Sequence, residues 1–117
     1  MEHHRPGPTV LCRLDDIAVP GSKSFGFGSG ALRREIFVVR DESGVHGYEN
    51  VCPHEDMILD AVPDQFLTLD KKYILCVNHW ARFRINDGVC IHGPCKGQRL
   101  TALAIEVIDG QVMLADP

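Results

Sequence analysis

Ala104-Ile105-Glu106-Val107-Ile108-Asp109-Gly110-Gln111-Val112-Met113-Leu114 reads as two apolar runs joined by Asp-Gly. Such a two-residue turn is a strong β-hairpin signal, because both of its central residues adopt positive φ. Working back along the chain, Glu35-Ile36-Phe37-Val38-Val39-Arg40 is rich in β-branched residues. It runs into the turn Asp41-Glu42-Ser43-Gly44, and Val45 to Val51 alternates well enough to return as its partner. Phe66-Leu67-Thr68-Leu69, a polar turn at Asp70-Lys71-Lys72, and Tyr73-Ile74-Leu75-Cys76 predict a further hairpin. Val10 to Leu14 is a short apolar strand, and Phe25-Gly26-Phe27-Gly28 reads equally as strand or loop. No window has a long helical period. The expectation is an all-β domain of short antiparallel strands.

The composition fits that size and class. A chain of 117 residues with 44% hydrophobic and 24% charged residues forms one compact globular unit rather than a disordered one. Its net charge of −4 comes without a basic stripe, so nucleic acid is not an expected partner. No apolar run approaches the length of a membrane helix. The residues Met1 to Pro8 lack the apolar centre of a signal peptide, and a cytoplasmic location is expected. His3 and His4 read as solvated terminal residues. Five cysteines, an odd number without a secretion signal, argue against a disulfide framework and for metal ligation or free thiols.

Two short motifs carry the chemistry. Cys52-Pro53-His54 and Cys76-Val77-Asn78-His79 each pair a thiol with an imidazole, and each is flanked by strand-like sequence. Two hairpin tips bearing these motifs would enclose a metal centre. Zinc accepts two thiolates and two imidazoles tetrahedrally. A [2Fe–2S] cluster accepts them as two thiolates on one iron and two histidines on the other. Zinc fingers usually group their cysteines and their histidines, whereas each motif here is mixed. Packing alone explains a single buried cysteine or histidine, but not four at these spacings.

Asn50-Val51-Cys52-Pro53-His54 and Ile74-Leu75-Cys76-Val77-Asn78-His79-Trp80-Ala81-Arg82-Phe83 resemble the Rieske ferredoxin pattern, C-x-H followed by C-x-x-H. The resemblance continues through Asp87-Gly88, Gly93-Pro94 and Leu100 to the closing hairpin. It implies a Rieske-like fold with a cluster-binding subdomain built from two loops. A cluster-binding part of about 50–97 is then inserted in a basal β-structure of about 9–49 and 98–115, within one domain over 1–117. It implies one [2Fe–2S] cluster, with Cys52 and Cys76 on one iron and His54 and His79 on the other. Gly93-Pro94 matches the family's proline loop, which shields the cluster.

Three departures concern the rim. Twenty-one residues separate His54 from Cys76, a few more than usual in the family; Glu55-Asp56 follows the first histidine; and Trp80 stands where glycine is usual. In the high-potential respiratory members, a Ser and a Tyr after the second histidine donate hydrogen bonds to cluster sulfurs, and a disulfide ties the two loops. Ala81 and Phe83 occupy the corresponding positions here, and neither loop carries a cysteine for that disulfide.

Cys90-Ile91-His92-Gly93-Pro94-Cys95 admits a second metal site, a short-loop disulfide or free thiols, of which free thiols near the proline loop are favoured. His92 reads as a solvated loop residue and Cys12 as a small core residue. Four protein ligands saturate both irons, which leaves one-electron transfer rather than Lewis-acid chemistry. With two thiolates balancing the oxidised core, the added electron meets less negative charge than at an all-cysteine site. No catalytic motif is present, and Gly26, Gly28 and Gly30 precede no helix that would make a nucleotide loop. The resemblance implies an electron carrier, not an enzyme, between a flavin-dependent reductase and an oxygenase. An accessory subunit similar to the small subunit of assimilatory nitrite reductase is the second reading and a structural zinc module the third. Members of the former group often lack the ligands, and this chain has all four.

Overall fold

The computed structural model describes residues 9–27, 34–53, 59, 64–77 and 80–115. Among these residues ten strands make three antiparallel sheets. β1 (Thr9–Arg13), β10 (Gln111–Leu114) and β9 (Ile105–Ile108) form one, in that order. The second has β2 (Gly21–Phe27), β3 (Arg34–Asp41), β4 (Gly44–Glu49) and β8 (Ala102–Leu103). The third has β5 (Tyr73–Cys76), β6 (Ala81–Arg84) and β7 (Cys90–His92). The all-β antiparallel expectation is met. Among the described residues the one helical element is a 3-10 turn at Leu14–Asp16. No helix of the described residues is long and apolar enough to cross a membrane.

The apolar run of β3 has a specific cause. Ile36, Phe37, Val38 and Val39 are all fully buried. Successive side chains of a strand point to opposite faces. Accordingly Phe37 and Val39 join the core that contains Tyr48, Phe66 and Phe83, while Val38 joins Ile17 and Val112 beneath the first sheet. A strand covered on both faces reads as a continuous hydrophobic run rather than an alternating one.

The expected hairpins differ in outcome. Asp41 pairs with Gly44, so β3 and β4 are joined through Glu42-Ser43. Gln111 pairs with Ile108 across Asp109 and Gly110, whose φ values of 52° and 76° are those of the positive-φ turn that Asp-Gly favours. Phe25 to Phe27 is strand, paired in continuous register with β3. Residues 66–69 fall short of a full strand. They make one bridge, Leu67 to Ile74, and two flanking backbone hydrogen bonds, Thr68 N–H to the Tyr73 carbonyl and Leu75 N–H to the Phe66 carbonyl. The full partner of β5 is β6 instead, in register from Cys76–Ala81 to Tyr73–Arg84.

Two contacts dock the residues flanking the third sheet onto the second. Phe66 stacks on Phe37 with ring centroids 4.2 Å apart and planes 5° from parallel. The buried Tyr48 hydroxyl donates to the Ile85 carbonyl at 2.6 Å, and burial pushes that phenol up to about 12. Asp64 stitches the same region to the edge strand β2. Its carboxylate accepts from the Ser24 N–H at 2.7 Å and the Ser24 hydroxyl at 2.8 Å. Its carbonyl accepts from the Ser22 hydroxyl at 2.7 Å, which covers part of an edge otherwise open to pairing.

Candidate metal centre

Cys52 and Cys76 sit at the roots of two loops. Cys52 follows β4 by three residues, and Cys76 ends β5. Their exposures are 2% and 0%, and both belong to the same buried cluster, with Leu59, Ala81 and Phe83. β5 and β6 form a hairpin closed by residues 77–80, because Cys76 pairs with Ala81. His54 and His79, the two expected imidazole ligands, lie outside the described residues, as do Glu55 and Asp56.

Asn50 holds the two loop roots together. It is the one buried polar residue among those described, at 2% exposure. Its side-chain carbonyl accepts from the Leu59 N–H at 2.8 Å, and its own N–H donates to the Glu35 carbonyl at 2.8 Å. The Leu59 carbonyl in turn accepts from the Val77 N–H at 3.1 Å. A chain of hydrogen bonds therefore runs from β4 through the first loop to the residue after Cys76. The sequence offers no signal for this role beyond an Asn two residues before Cys52. Replacing Asn50 with Ala leaves the buried Leu59 N–H without its acceptor, a cost of about 1–3 kcal/mol. The denaturant midpoint falls, and amide exchange quickens first at Leu59 and Val77. Unchanged exchange at both amides contradicts this role.

Trp80 closes the second loop at φ 56°, the left-handed region that costs a bulky residue about 1–2 kcal/mol. The position usually given to glycine in the family is therefore one whose backbone favours glycine. The indole offsets little of that cost by burial, since 65% of the residue is exposed. With Thr68, Leu69, Tyr73, Leu75 and Arg82 it lines a groove of about 440 Å³ beside the loop. A strained residue kept at a site's rim points to a role in contact. Trp80→Gly is expected to stabilise the protein by up to about 1 kcal/mol in urea unfolding. A lowered stability contradicts the strain.

Cys90 and Cys95 lie in the same buried cluster as Cys52 and Cys76. Gly93 lets their loop approach the root of β6. A Cβ there would meet the Ala81 Cα at 2.9 Å, and φ is +109°. Burial raises the Cys95 thiol above the usual range, and the neighbouring Cys90 and Cys52 sulfurs act in the same direction. His92 is exposed at the end of β7. No three His, Cys, Asp or Glu side chains gather into a metal-holding group among the described residues. The alternative of a second metal site formed by Cys90, His92 and Cys95 is thus not what the fold builds. No disulfide joins any of the five cysteines, all of which are among the described residues, and Cys12 packs half-buried beneath the first sheet.

Two buried thiols, at the roots of two clamped loops, fit the sulfur half of a two-thiolate, two-imidazole donor set. Such ligands must be preorganised on backbone fixed by its own hydrogen bonds, and Asn50 and the β5–β6 hairpin provide that. When bound, the cluster supplies a reversible one-electron site.

Comparison with solved structures gives the same architecture. The ferredoxin of carbazole 1,9a-dioxygenase from Nocardioides aromaticivorans IC177 is 23% identical with a TM-score of 0.71, over 96% of this chain and 100% of that one. A chain of the complex of reduced oxygenase and oxidized ferredoxin in carbazole 1,9a-dioxygenase is 24% identical with a TM-score of 0.72, over 91% and 99%. The Sphingomonas yanoikuyae B1 ferredoxin is 18% identical with a TM-score of 0.66, over 92% and 97%. No curated protein matches. At these identities the likeness establishes the fold. The family description "Rieske [2Fe-2S] domain" matches residues 8–109, nearly the whole chain, and with the paired thiols at two loop roots it is the conclusion the site supports: this chain belongs to the Rieske [2Fe–2S] domain family.

Proposed function

We propose that this chain is a one-electron carrier that takes electrons from a flavin-dependent reductase and delivers them to an oxygenase. The observation that carries the reading is the pair of buried thiols, Cys52 and Cys76, at the roots of two loops clamped through Asn50, Leu59 and Val77. With His54 and His79 as the remaining ligands of one cluster, every iron position is taken by protein. Electron transfer then remains and catalysis at the metal does not. Two of the similar structures bear the names of ferredoxin or ferredoxin–oxygenase components of a dioxygenase, which supports an oxygenase as the acceptor. The site of action in this reading is the cytosol. The cluster-binding part comprises about residues 50–97, on a base of about 9–49 and 98–115.

The outer edges of His54 and His79 form the electron exit in this proposal. Glu55, Asp56, Trp80 and Arg82 line the docking face. Rim charges govern association rate and its salt dependence more than final affinity. The test is anaerobic stopped-flow transfer from the reduced protein to the oxidised oxygenase component of a Rieske dioxygenase. Reversing Glu55 and Asp56 to lysine is expected to change the second-order rate about tenfold at low salt, with the difference shrinking at high salt. An unchanged rate at low salt displaces the docking face. Failure of the unaltered protein to reduce such oxygenases contradicts the carrier assignment.

A further inference from the structure

Cys90 and Cys95 have no part in the ligand set, yet the fold brings their sulfurs to 2.9 Å. The Cys95 thiol donates to the Cys90 sulfur, and the Cys90 thiol donates to the His92 carbonyl at 3.2 Å. The loop between them is tied at its base by its own backbone. Gly97 N–H donates to the Cys90 carbonyl at 3.0 Å, Cys90 N–H to the Gln98 carbonyl at 2.8 Å, and Gln98 N–H to the Cys95 carbonyl at 2.8 Å. Because the loop is already ordered, bonding the two sulfurs adds little further ordering cost. A covalent bond of about 2.05 Å asks each sulfur to move by only about 0.4 Å.

The other thiols are placed differently. In the loaded protein Cys52 and Cys76 are occupied on iron, and Cys12 belongs to the separate core under the first sheet. Both members of the pair are buried, at 1% and 0% exposure, but the intervening His92 and Pro94 and the following Lys96 are exposed. A local opening of this surface loop therefore admits a small reagent without unfolding the sheets.

We propose that Cys90 and Cys95 are a reversible dithiol/disulfide pair, oxidised by a low-molecular-weight disulfide and lying against the cluster site without ligating it. One cysteine thiolate attacks the small disulfide, forming a mixed disulfide and releasing one small thiolate. The second cysteine sulfur then attacks the protein-side sulfur of that mixed disulfide and releases the other small thiolate. One protein S–S bond forms and one small S–S bond breaks. The two cysteines are oxidised, the reagent is reduced to two thiols, and the two protein protons pass to the departing thiolates. Closure would fix the loop that rests on Ala81, in the buried cluster that also holds Cys52. It would remove no ligand.

The test uses the cluster-loaded protein, incubated anaerobically with excess oxidised glutathione, then denatured and alkylated. The five thiols of the untreated chain are expected to fall to three, with peptide mapping joining Cys90 to Cys95. The visible spectrum of the cluster persists throughout, and dithiothreitol restores all five thiols. Cys90→Ser and Cys95→Ser each abolish the paired loss. The proposal is overturned if five thiols survive treatment of the wild-type protein, or if the bond joins another pair. It is equally overturned if the cluster bleaches in step with thiol loss, since the pair would then be acting on the ligands.

Discussion

Cys52→Ser and Cys76→Ser each yield protein whose iron content falls to near zero and which lacks the wild-type visible spectrum. In the proposed site each removes one of the two thiolates whose charge would balance the oxidised core. Serine at neutral pH offers only a neutral hydroxyl in their place. His54→Ala and His79→Ala have the same outcome, because no described side chain stands ready to replace an imidazole: His92 is exposed at the far end of β7 and His46 lies in β4, held by Ser43 and Asp41. Metal binding contributes to folding in a small domain, so the four variants also unfold at lower denaturant. Iron analysis beside circular dichroism separates cluster loss from general misfolding. A variant that keeps the wild-type spectrum removes its residue from the ligand set.

The reduction potential is expected at about −150 mV, on the low side of a range that reaches about +300 mV. Hydrogen bonds to cluster sulfurs withdraw electron density and favour reduction. Ala81 and Phe83, at the positions that carry Ser and Tyr in high-potential members, are 1% and 0% exposed and offer no hydroxyl. They make this wall of the site apolar. Glu55 and Asp56 beside the first histidine add negative charge and disfavour the electron further. A potential so low suits a carrier reduced from a nicotinamide through a flavin, and does not suit oxidation of a quinol. Protein-film voltammetry at pH 7 measures it, and a midpoint above about +100 mV contradicts the contribution assigned to Ala81 and Phe83.

Much of this was legible in the residues, for reasons that differ by element. The run Ile36 to Val39 is a strand by composition, though only the structure shows that it is buried from both sides. Asp109-Gly110 is legible because few other dipeptides accept two positive φ values. The pairing of Phe66–Leu69 with β5 was only partly right. Nothing in those four residues reveals that β5 pairs fully with β6 along its opposite edge, leaving residues 66–69 to make a single bridge on the other. β6, β7 and β8 are four, three and two residues long, too short for a period to declare itself. Ala81-Arg82-Phe83-Arg84 does alternate buried and exposed, but so do many four-residue stretches.

The site shows the same division. Cys52 and Cys76 stand out by type and spacing, and the structure places both at loop roots, while His54 and His79 lie outside the described residues. Asn50 and Asp64 do not, because their partners lie nine and 40 residues away and any polar residue has the same appearance in sequence. The proximity of Cys90 and Cys95 was open to either a bond or free thiols. The structure gives free thiols with their sulfurs in contact.

Electron paramagnetic resonance of the dithionite-reduced protein, with iron counted on the same sample, addresses the centre directly. A [2Fe–2S] cluster with two thiolates and two imidazoles gives, on one-electron reduction, a single rhombic signal whose average g value is lower than that of an all-cysteine cluster. The account predicts that signal at one spin and two irons per chain, and its loss in Cys52→Ser and His79→Ala alike. A protein that holds zinc and no iron, or one whose reduced cluster gives the all-cysteine signal, contradicts it.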